Sequence, residues 1–119
     1  MHALVTGSSG FIGRHLCDSL LKLGHKVSPF CRSQGGDILQ WGDVRQWVVP
    51  DVVYHLAGML STASPRDIYE VNVLGTLNLL EFCRLHKVRQ LVYASSYLYG
   101  LPNYLPVDEG HPLNGERLC

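Results

Sequence analysis

A glycine-rich stretch close to the N-terminus constrains this chain most. Residues 5–14, Val-Thr-Gly-Ser-Ser-Gly-Phe-Ile-Gly-Arg, follow a short apolar run and carry glycines at positions 7, 10 and 13. Apolar residues at helical spacing come next, namely Ile12, Leu16 and Leu20. This order predicts a strand, a glycine turn and a helix.

Each glycine of the turn has its own predicted role. Gly7 suits a positive φ, Gly10 allows a ligand to approach the backbone, and Gly13 allows the helix to pack against the strand. The helix N-terminus presents unpaired N–H groups and the positive end of its dipole, which favour an anion such as a pyrophosphate. We therefore predict a dinucleotide site that includes Ser9 of the same turn.

Composition limits the class of protein. The 119 residues suffice for one domain or less, and ten basic residues balance ten acidic ones. We therefore expect neither a nucleic-acid nor a membrane partner. No apolar run is long enough for a bilayer and no export leader is visible, while the four cysteines lack Cys-x-x-Cys spacing. These features predict reduced thiols, a cytoplasmic protein and no metal site.

The remaining chain predicts the alternating strands and helices of an α/β fold. The first helix is predicted from Phe11 to Leu23, ending at Gly24. A long helix is predicted from Pro65 to about His86, with Ser64 as its N-cap. Further strands are predicted at Lys26–Cys31, Ile38–Gln40, Asp51–Gly58 and Arg89–Ser95.

The end of the second strand bears on cofactor choice. In dinucleotide folds a carboxylate here binds the ribose 2′-hydroxyl, whereas an arginine accommodates a 2′-phosphate. This chain has Cys31 and Arg32 and no carboxylate. The pattern favours NADP over NAD if Arg32 binds a 2′-phosphate. An equal alternative is that Arg32 is a solvated charge in a loop.

Three polar residues each have two interpretations. Asp43 either accepts a hydrogen bond from an adenine, with Val44 packed on the ring, or belongs to an ordinary turn. Asn72, beside the small Gly75, either faces the site or is a polar surface residue. His55 lies in a β-branched run, and we interpret it as a core residue.

Seven stretches, in the same order along the chain, resemble the extended short-chain dehydrogenase/reductase family, which contains the nucleotide-sugar epimerases and dehydratases. The resemblance implies a Rossmann-like parallel sheet of order 3-2-1-4-5, bound NAD or NADP, and a nucleotide-sugar or related carbonyl or alcohol substrate. The stretches are Thr6-Gly7-x-x-Gly10-x-x-Gly13, Gly42-Asp43-Val44-Arg45, residues 51–58, residues 69–76, Ala94-Ser-Ser96, Tyr99-Gly100 and residues 106–109.

The resemblance also implies roles for individual residues. Ser96 would bind the reacting oxygen through its hydroxyl, with Ser95 as the alternative. The implied cofactor contacts are Phe11 and Ile12 on the pyrophosphate turn, Asp43 and Val44 at the adenine, Leu56, Ala57 and Gly58 along the cofactor, and Asn72 beneath it.

Three features depart from the family pattern. The family's proton donor is a tyrosine followed four residues later by a lysine, and no tyrosine here has that partner. We therefore expect a truncated or frameshifted chain that lacks the substrate-binding region and is inactive alone. Residues 44–50 replace a crossover helix. Because seven residues reach roughly 23–25 Å, we expect a taut link there and no helix. The interval from Ser96 to Tyr99 is one residue short.

The sequence thus predicts the NAD(P)-binding part of an oxidoreductase that acts on nucleotide sugars in complete relatives. One alternative is a non-catalytic dinucleotide-binding or interaction module that forms a homodimer through an exposed sheet edge or uncovered face. Another is an unstable gene fragment.

Overall fold

Four strands and their helices form the framework of the computed structural model, which describes residues 1–40, 49–60, 63–95 and 102–112. Within these ranges no helix combines the length and apolar character of a membrane span. The strands are β1 (His2–Thr6), β2 (Lys26–Phe30), β3 (Val52–His55) and β4 (Gln90–Tyr93). The helical segments are α1 (Phe11–Lys22), a 3₁₀ turn (Arg32–Gln34), α2 (Pro65–Tyr69), a π-helical segment (Glu70–Gly75) and α3 (Thr76–Leu85).

The sheet is parallel, in the order β2-β1-β3-β4. Thr6 lies opposite both Phe30 and His55, and Pro29 lies opposite Val5. The carboxyl ends of the strands therefore meet at one edge. This confirms the α/β class and the Rossmann-like sheet, and it matches the 2-1-4-5 part of the predicted order.

The predicted strand at Ile38–Gln40 is wrong. Asp37 caps a turn here, because its Oδ1 accepts a hydrogen bond from Leu39 N at 2.9 Å and its carbonyl accepts one from Gln40 N at 3.0 Å. Ile38 is buried in the core, and its carbonyl accepts a hydrogen bond from Asn78 Nδ2 at 3.2 Å. Local capping and side-chain burial outweigh sheet pairing in this segment.

Apolar layers cover both faces of the sheet. Ala3 and Val5 point towards α1 and pack with Leu20, whereas Leu4 points to the opposite face. The opposite cluster comprises Leu4, Phe30, Ile38, Val53, Val71, Leu79 and Phe82. β1 is buried on both sides, which explains its continuous apolar sequence.

The long helix begins as predicted and then departs from regular geometry. Ser64 Oγ accepts a hydrogen bond from Asp67 N at 3.1 Å, and Pro65 occupies the first turn. The π-helical segment then continues into α3. A Cβ on Gly75 would lie 2.6 Å from Ile38 Cγ2, so the small residue lets the turn at Ile38 dock against the helix. The π-helical segment was not predicted.

Candidate cofactor site

A cavity of about 290 Å³ lies at the carboxyl edge of the sheet. It is bounded by the glycine turn after β1, the end of β2 and the loop after β3. Open α/β sheets bind ligands at this edge, where successive connections leave in opposite directions. Its lining residues are Gly7, Ser9, Gly10, Phe30, Cys31, Arg32, Gly36, Ile38, Leu56, Ala57, Gly58, Met59 and Val71.

Backbone packing fixes the glycine turn. Gly7 has a φ of +68°, and its N–H donates to Phe30 O at 2.9 Å. A Cβ at Gly7 would lie 2.7 Å from the Leu56 carbonyl, and one at Gly13 would overlap the Gly7 carbonyl oxygen. The predicted positive φ of Gly7 is confirmed. Gly13 lets α1 pack against the turn itself, whereas we had predicted packing against the strand.

The start of α1 suits an anion. Its N-cap is Gly10, which has no side chain to cap the helix, and the first turn contains no acidic residue. The N–H groups and dipole of this 12-residue helix are therefore not neutralised by its own side chains. The residues present thus fit the diphosphate of a dinucleotide.

A buried hydrogen-bond chain supports the cavity from below. His55 is 1% exposed, and its Nδ1 and Nε2 lie 2.8 Å from Thr6 Oγ1 and Thr76 Oγ1. Thr76 Oγ1 donates its proton to the Asn72 carbonyl at 2.7 Å, so His55 Nε2–H must donate to Thr76. The chain joins β1, β3 and the long helix.

The same hydrogen bonds keep the His55 imidazole neutral. Thr6 Oγ1 accepts the N–H groups of Leu56 and Ala57, both at 3.2 Å, so its own proton goes to His55 Nδ1. A protonated imidazole would have no acceptor there, and burial lowers the pKa of His55 from its ordinary value of 6.5. The predicted core role of His55 is confirmed. Its threonine partners were missed, because nothing in their spacing shows that they meet.

Asn72 binds the loop that follows β3. Its Oδ1 accepts from Met59 N at 2.7 Å, and its Nδ2 donates to Met59 O at 2.9 Å. Both functional groups of the amide are thus used by one backbone residue, and Asn72 Oδ1 lies beside Gly58. Asn72 therefore shapes the floor of the cavity, and its contact with a cofactor stays a prediction.

The far end of the cavity carries a thiol and a cation. Cys31 is buried, and its Sγ lies 3.2 Å from Ser33 Oγ. This hydrogen bond, followed by the nearby hydroxyl of Ser8, lowers the pKa of Cys31 to about 7. Arg32 opens the 3₁₀ turn and is exposed. The cavity thus has a basic group at the end of β2.

The structure brings most of the predicted site residues together. Phe11, Ile12 and Gly13 follow the turn in α1, and Ser95 lies just beyond β4 at the same edge. Asp43, Val44 and Ser96 lie outside the described residues, as does most of the link at residues 44–50. The predicted residues that line the cavity are Gly7, Ser9, Gly10, Arg32, Leu56, Ala57 and Gly58.

Comparison with known proteins places this arrangement in a family. The model of the NAD dependent epimerase/dehydratase family matches residues 3–117. The chain belongs to this family. Its resemblance to the extended short-chain dehydrogenases/reductases is thereby confirmed.

Two solved structures and one sequence illustrate the likeness of this family member. A putative UDP-glucose 4-epimerase of Methanocaldococcus jannaschii is 36% identical over 93% of the chain. A UDP-glucose 4-epimerase of Bifidobacterium longum in complex with NAD+ and UDP superposes with a TM-score of 0.85 at 29% identity, over 97% of this chain and 43% of its own. A short-chain dehydrogenase/reductase superfamily protein of Agrobacterium tumefaciens with bound NAD gives 0.78 at 35% identity, over 95% and 39%.

This family member is short beside its relatives. It spans 44% of the length of the archaeal protein.

We predict that Gly7→Ala destabilises the fold much more than Gly24→Ala. Both glycines have a positive φ, +68° and +76°, but only the Cβ at Gly7 would meet backbone atoms within 4 Å other than those of its chain neighbours. Gly24→Ala should lower the free energy of unfolding by about 1–2 kcal/mol, and Gly7→Ala by roughly 1–3 kcal/mol more. Urea unfolding of both variants measures this, and equal losses would contradict the close packing at Leu56.

We predict that stability falls as the pH drops below about 6.5. The unfolded chain binds a proton at the ordinary pKa of histidine, 6.5, whereas the folded pKa of His55 is lower. The contribution of His55 is therefore complete above pH 6.5 and is lost as the pH falls towards the folded pKa, with a slope of at most about 1.4 kcal/mol per pH unit.

Thermal melts between pH 5 and 8 measure this dependence. His55→Gln should flatten the profile below pH 6.5, whereas His15→Gln, on the exposed side of α1, should leave it unchanged. Identical profiles for all three proteins would contradict the assignment.

Proposed function

We propose that this chain is the NAD(P)-binding part of an oxidoreductase that acts on a nucleotide sugar. The observation that carries the proposal is the glycine turn, which opens an uncapped helix N-terminus into a cavity at the carboxyl edge of the sheet. The NAD bound by the Agrobacterium protein and the NAD+ bound by the Bifidobacterium epimerase support the proposed cofactor, and the UDP bound by the latter supports the proposed nucleotide-sugar substrate.

Each part of the cavity has a proposed task. The turn from Gly7 to Ile12 binds the pyrophosphate, and Leu56–Gly58 follow the cofactor beyond it. Asp43 and Val44, which lie outside the described residues, are proposed to bind the adenine. Asn72 holds the loop after β3 through both backbone groups of Met59 and so sets the width of the cavity.

The bound dinucleotide supplies the chemistry of accepting or donating a hydride at a sugar carbon. Ser96, or Ser95 in its place, binds the reacting oxygen through its hydroxyl. None of the six tyrosines has a lysine four residues later, so the 119-residue chain has no paired proton donor of the family type. We propose that this chain binds the cofactor without turnover.

The proposal extends to a preference for NADP. No carboxylate lines the described cavity at the end of β2, where one would accept a ribose 2′-hydroxyl. Arg32 lies there instead, and a guanidinium suits a phosphate by charge and geometry.

We expect both dinucleotides to raise the melting temperature of the pure chain, and NADP to raise it more. A ligand that binds only the folded state stabilises it by mass action. Arg32→Ala should weaken NADP binding about tenfold, the effect of about 1.4 kcal/mol, and change NAD binding less than twofold. Arg84→Ala is the control, because Arg84 pairs with Glu81 on α3 outside the cavity. A cooperative melt that neither dinucleotide shifts would refute the cofactor proposal.

We also propose that the chain forms a cytoplasmic homodimer through its long helix. Cys17, Cys31 and Cys83 are free thiols, as expected in a reducing compartment. The helix exposes six large apolar side chains, more than an isolated surface residue explains. They are Tyr69, Val73, Leu74, Leu77, Leu80 and Leu85.

Sedimentation velocity over a concentration series tests the dimer. Leu77→Asp should weaken association at least about tenfold, because it places a charge in the apolar contact. Leu21→Asp is the matched control, since Leu21 is equally exposed (56% against 59%) on α1, across the sheet. A monomer at every concentration, or equal effects of the two variants, would refute this interface.

A further inference from the structure

Cys31 occupies a position that the family chemistry described above does not use. It follows β2 directly, lines the cavity and is 7% exposed. The preceding carbonyl, Phe30 O, accepts the N–H of Gly7 at 2.9 Å, which ties this end of β2 to the glycine turn. The thiol is therefore held at the cavity wall, beside the proposed pyrophosphate turn.

Hydroxyl groups surround the sulfur. Ser33 Oγ lies 3.2 Å from Cys31 Sγ, and the hydroxyls of Ser8 and Ser9 are close enough to favour the thiolate. Ser8 is 6% exposed, and its Oγ has no well-formed hydrogen bond among the described residues. A buried hydroxyl without an acceptor is rare in folded proteins. Ser8 can donate to a negative sulfur or to an oxygen attached to it.

The three described cysteines differ in ionisation. The hydrogen bond with Ser33, followed by the nearby hydroxyl of Ser8, lowers the pKa of Cys31 to about 7, whereas burial raises the pKa of Cys17 and Cys83 above 9.0. At pH 7 about half of Cys31 is thiolate, against about 1% of a thiol at 9.0, and the thiolate is the nucleophile. The Cys31 thiolate is less basic and so a weaker nucleophile, which reduces its rate advantage over the other thiols about eightfold. A net advantage of about five- to tenfold remains.

We propose that Cys31 is the oxidant-sensitive thiol among the three described cysteines, and that its oxidation by a small hydroperoxide closes the cavity to the cofactor. The thiolate sulfur attacks one peroxide oxygen, so that an S–O bond forms as the O–O bond breaks. The sulfur loses two electrons and becomes a sulfenic acid, while the peroxide is reduced. With hydrogen peroxide the second oxygen leaves as hydroxide and takes up a proton to form water.

The geometry explains why the product would block binding. The added oxygen lies at the cavity wall, because Cys31 lines the cavity and directly precedes Arg32, the residue proposed to bind the ribose phosphate. Ser8 Oγ–H gains an acceptor in this oxygen, which favours the oxidised form. Low-molecular-weight thiols reverse the step, because one thiol attacks the sulfenic sulfur to give a mixed disulfide and water, and a second thiol then releases the Cys31 thiol and leaves as a disulfide with the first. The blocking effect rests on the proposed cofactor function, whereas the ranking of the thiols does not.

Peptide mass spectrometry of the folded 119-residue chain tests the ranking. The chain is treated with hydrogen peroxide at pH 7 in the presence of dimedone, which traps sulfenic acids. Cys31 should be labelled at least five times faster than Cys17 and Cys83. Ser33→Ala should slow labelling of Cys31 at pH 7 severalfold, and Ser33→Thr should restore it. Equal rates for the three cysteines, or no effect of Ser33→Ala, would overturn the proposal.

Melting with NADP before and after peroxide separates this proposal from the function on which it rests. The shift caused by NADP should be lost after oxidation and recovered with dithiothreitol, whereas in Cys31→Ser peroxide should leave the shift at its starting size. A shift that survives complete oxidation of Cys31 would overturn the switch. Absence of any shift in the reduced chain would refute the cofactor function, and the labelling rates would still decide the reactivity of Cys31.

Discussion

The Thr6 hydroxyl at the end of β1 is the point on which the rest of the site depends. It accepts the N–H groups of Leu56 and Ala57 and donates to His55, which in turn binds Thr76 on the long helix. Each of these groups is satisfied only when the others are in place. Thr6 thus fixes the positions of β1, β3 and the long helix relative to one another. The glycine turn begins at the next residue, so these contacts also fix its position.

The cavity follows from this relation. Gly7 touches the Leu56 carbonyl because Thr6 has drawn the two backbones together, and only a residue without a side chain fits between them. On the other side of the cavity, Asn72 holds Met59 by hydrogen bonds to its backbone. Asn72 lies in the π-helical segment, where the helix is wider, and its carbonyl also accepts a hydrogen bond from the Thr76 hydroxyl. Such segments are frequent at functional sites, because the extra residue redirects side chains. The floor and the back wall of the cavity are therefore set by side-chain hydrogen bonds to the backbone.

The sequence correctly predicted the features that depend on neighbouring residues. The glycine turn, the four described strands and the Ser64 cap each follow from a few neighbouring residues, and the structure contains all of them. Three features escaped because they depend on distant partners. Ile38 packs against Gly75 of the long helix and does not form the predicted strand. The π-helical segment carries Asn72, which binds the distant Met59 backbone, and Cys31 owes its lowered pKa to serines on two different loops. Spacing along the chain contains none of this information.

Pro29 in β2 has a further consequence for how copies of the chain can meet. Lys26 N donates to Met1 O and Phe30 O accepts from Gly7 N, so even-numbered residues of β2 point their polar groups towards β1. Pro29 therefore points away from β1, where its missing N–H costs the existing ladder nothing. On that outer side Pro29, the fourth of the five residues of β2, offers no donor to a further strand. Two copies laid side by side along β2 would each lack a hydrogen bond at Pro29, which disfavours the fibre-like stacking to which unpaired strand edges are prone.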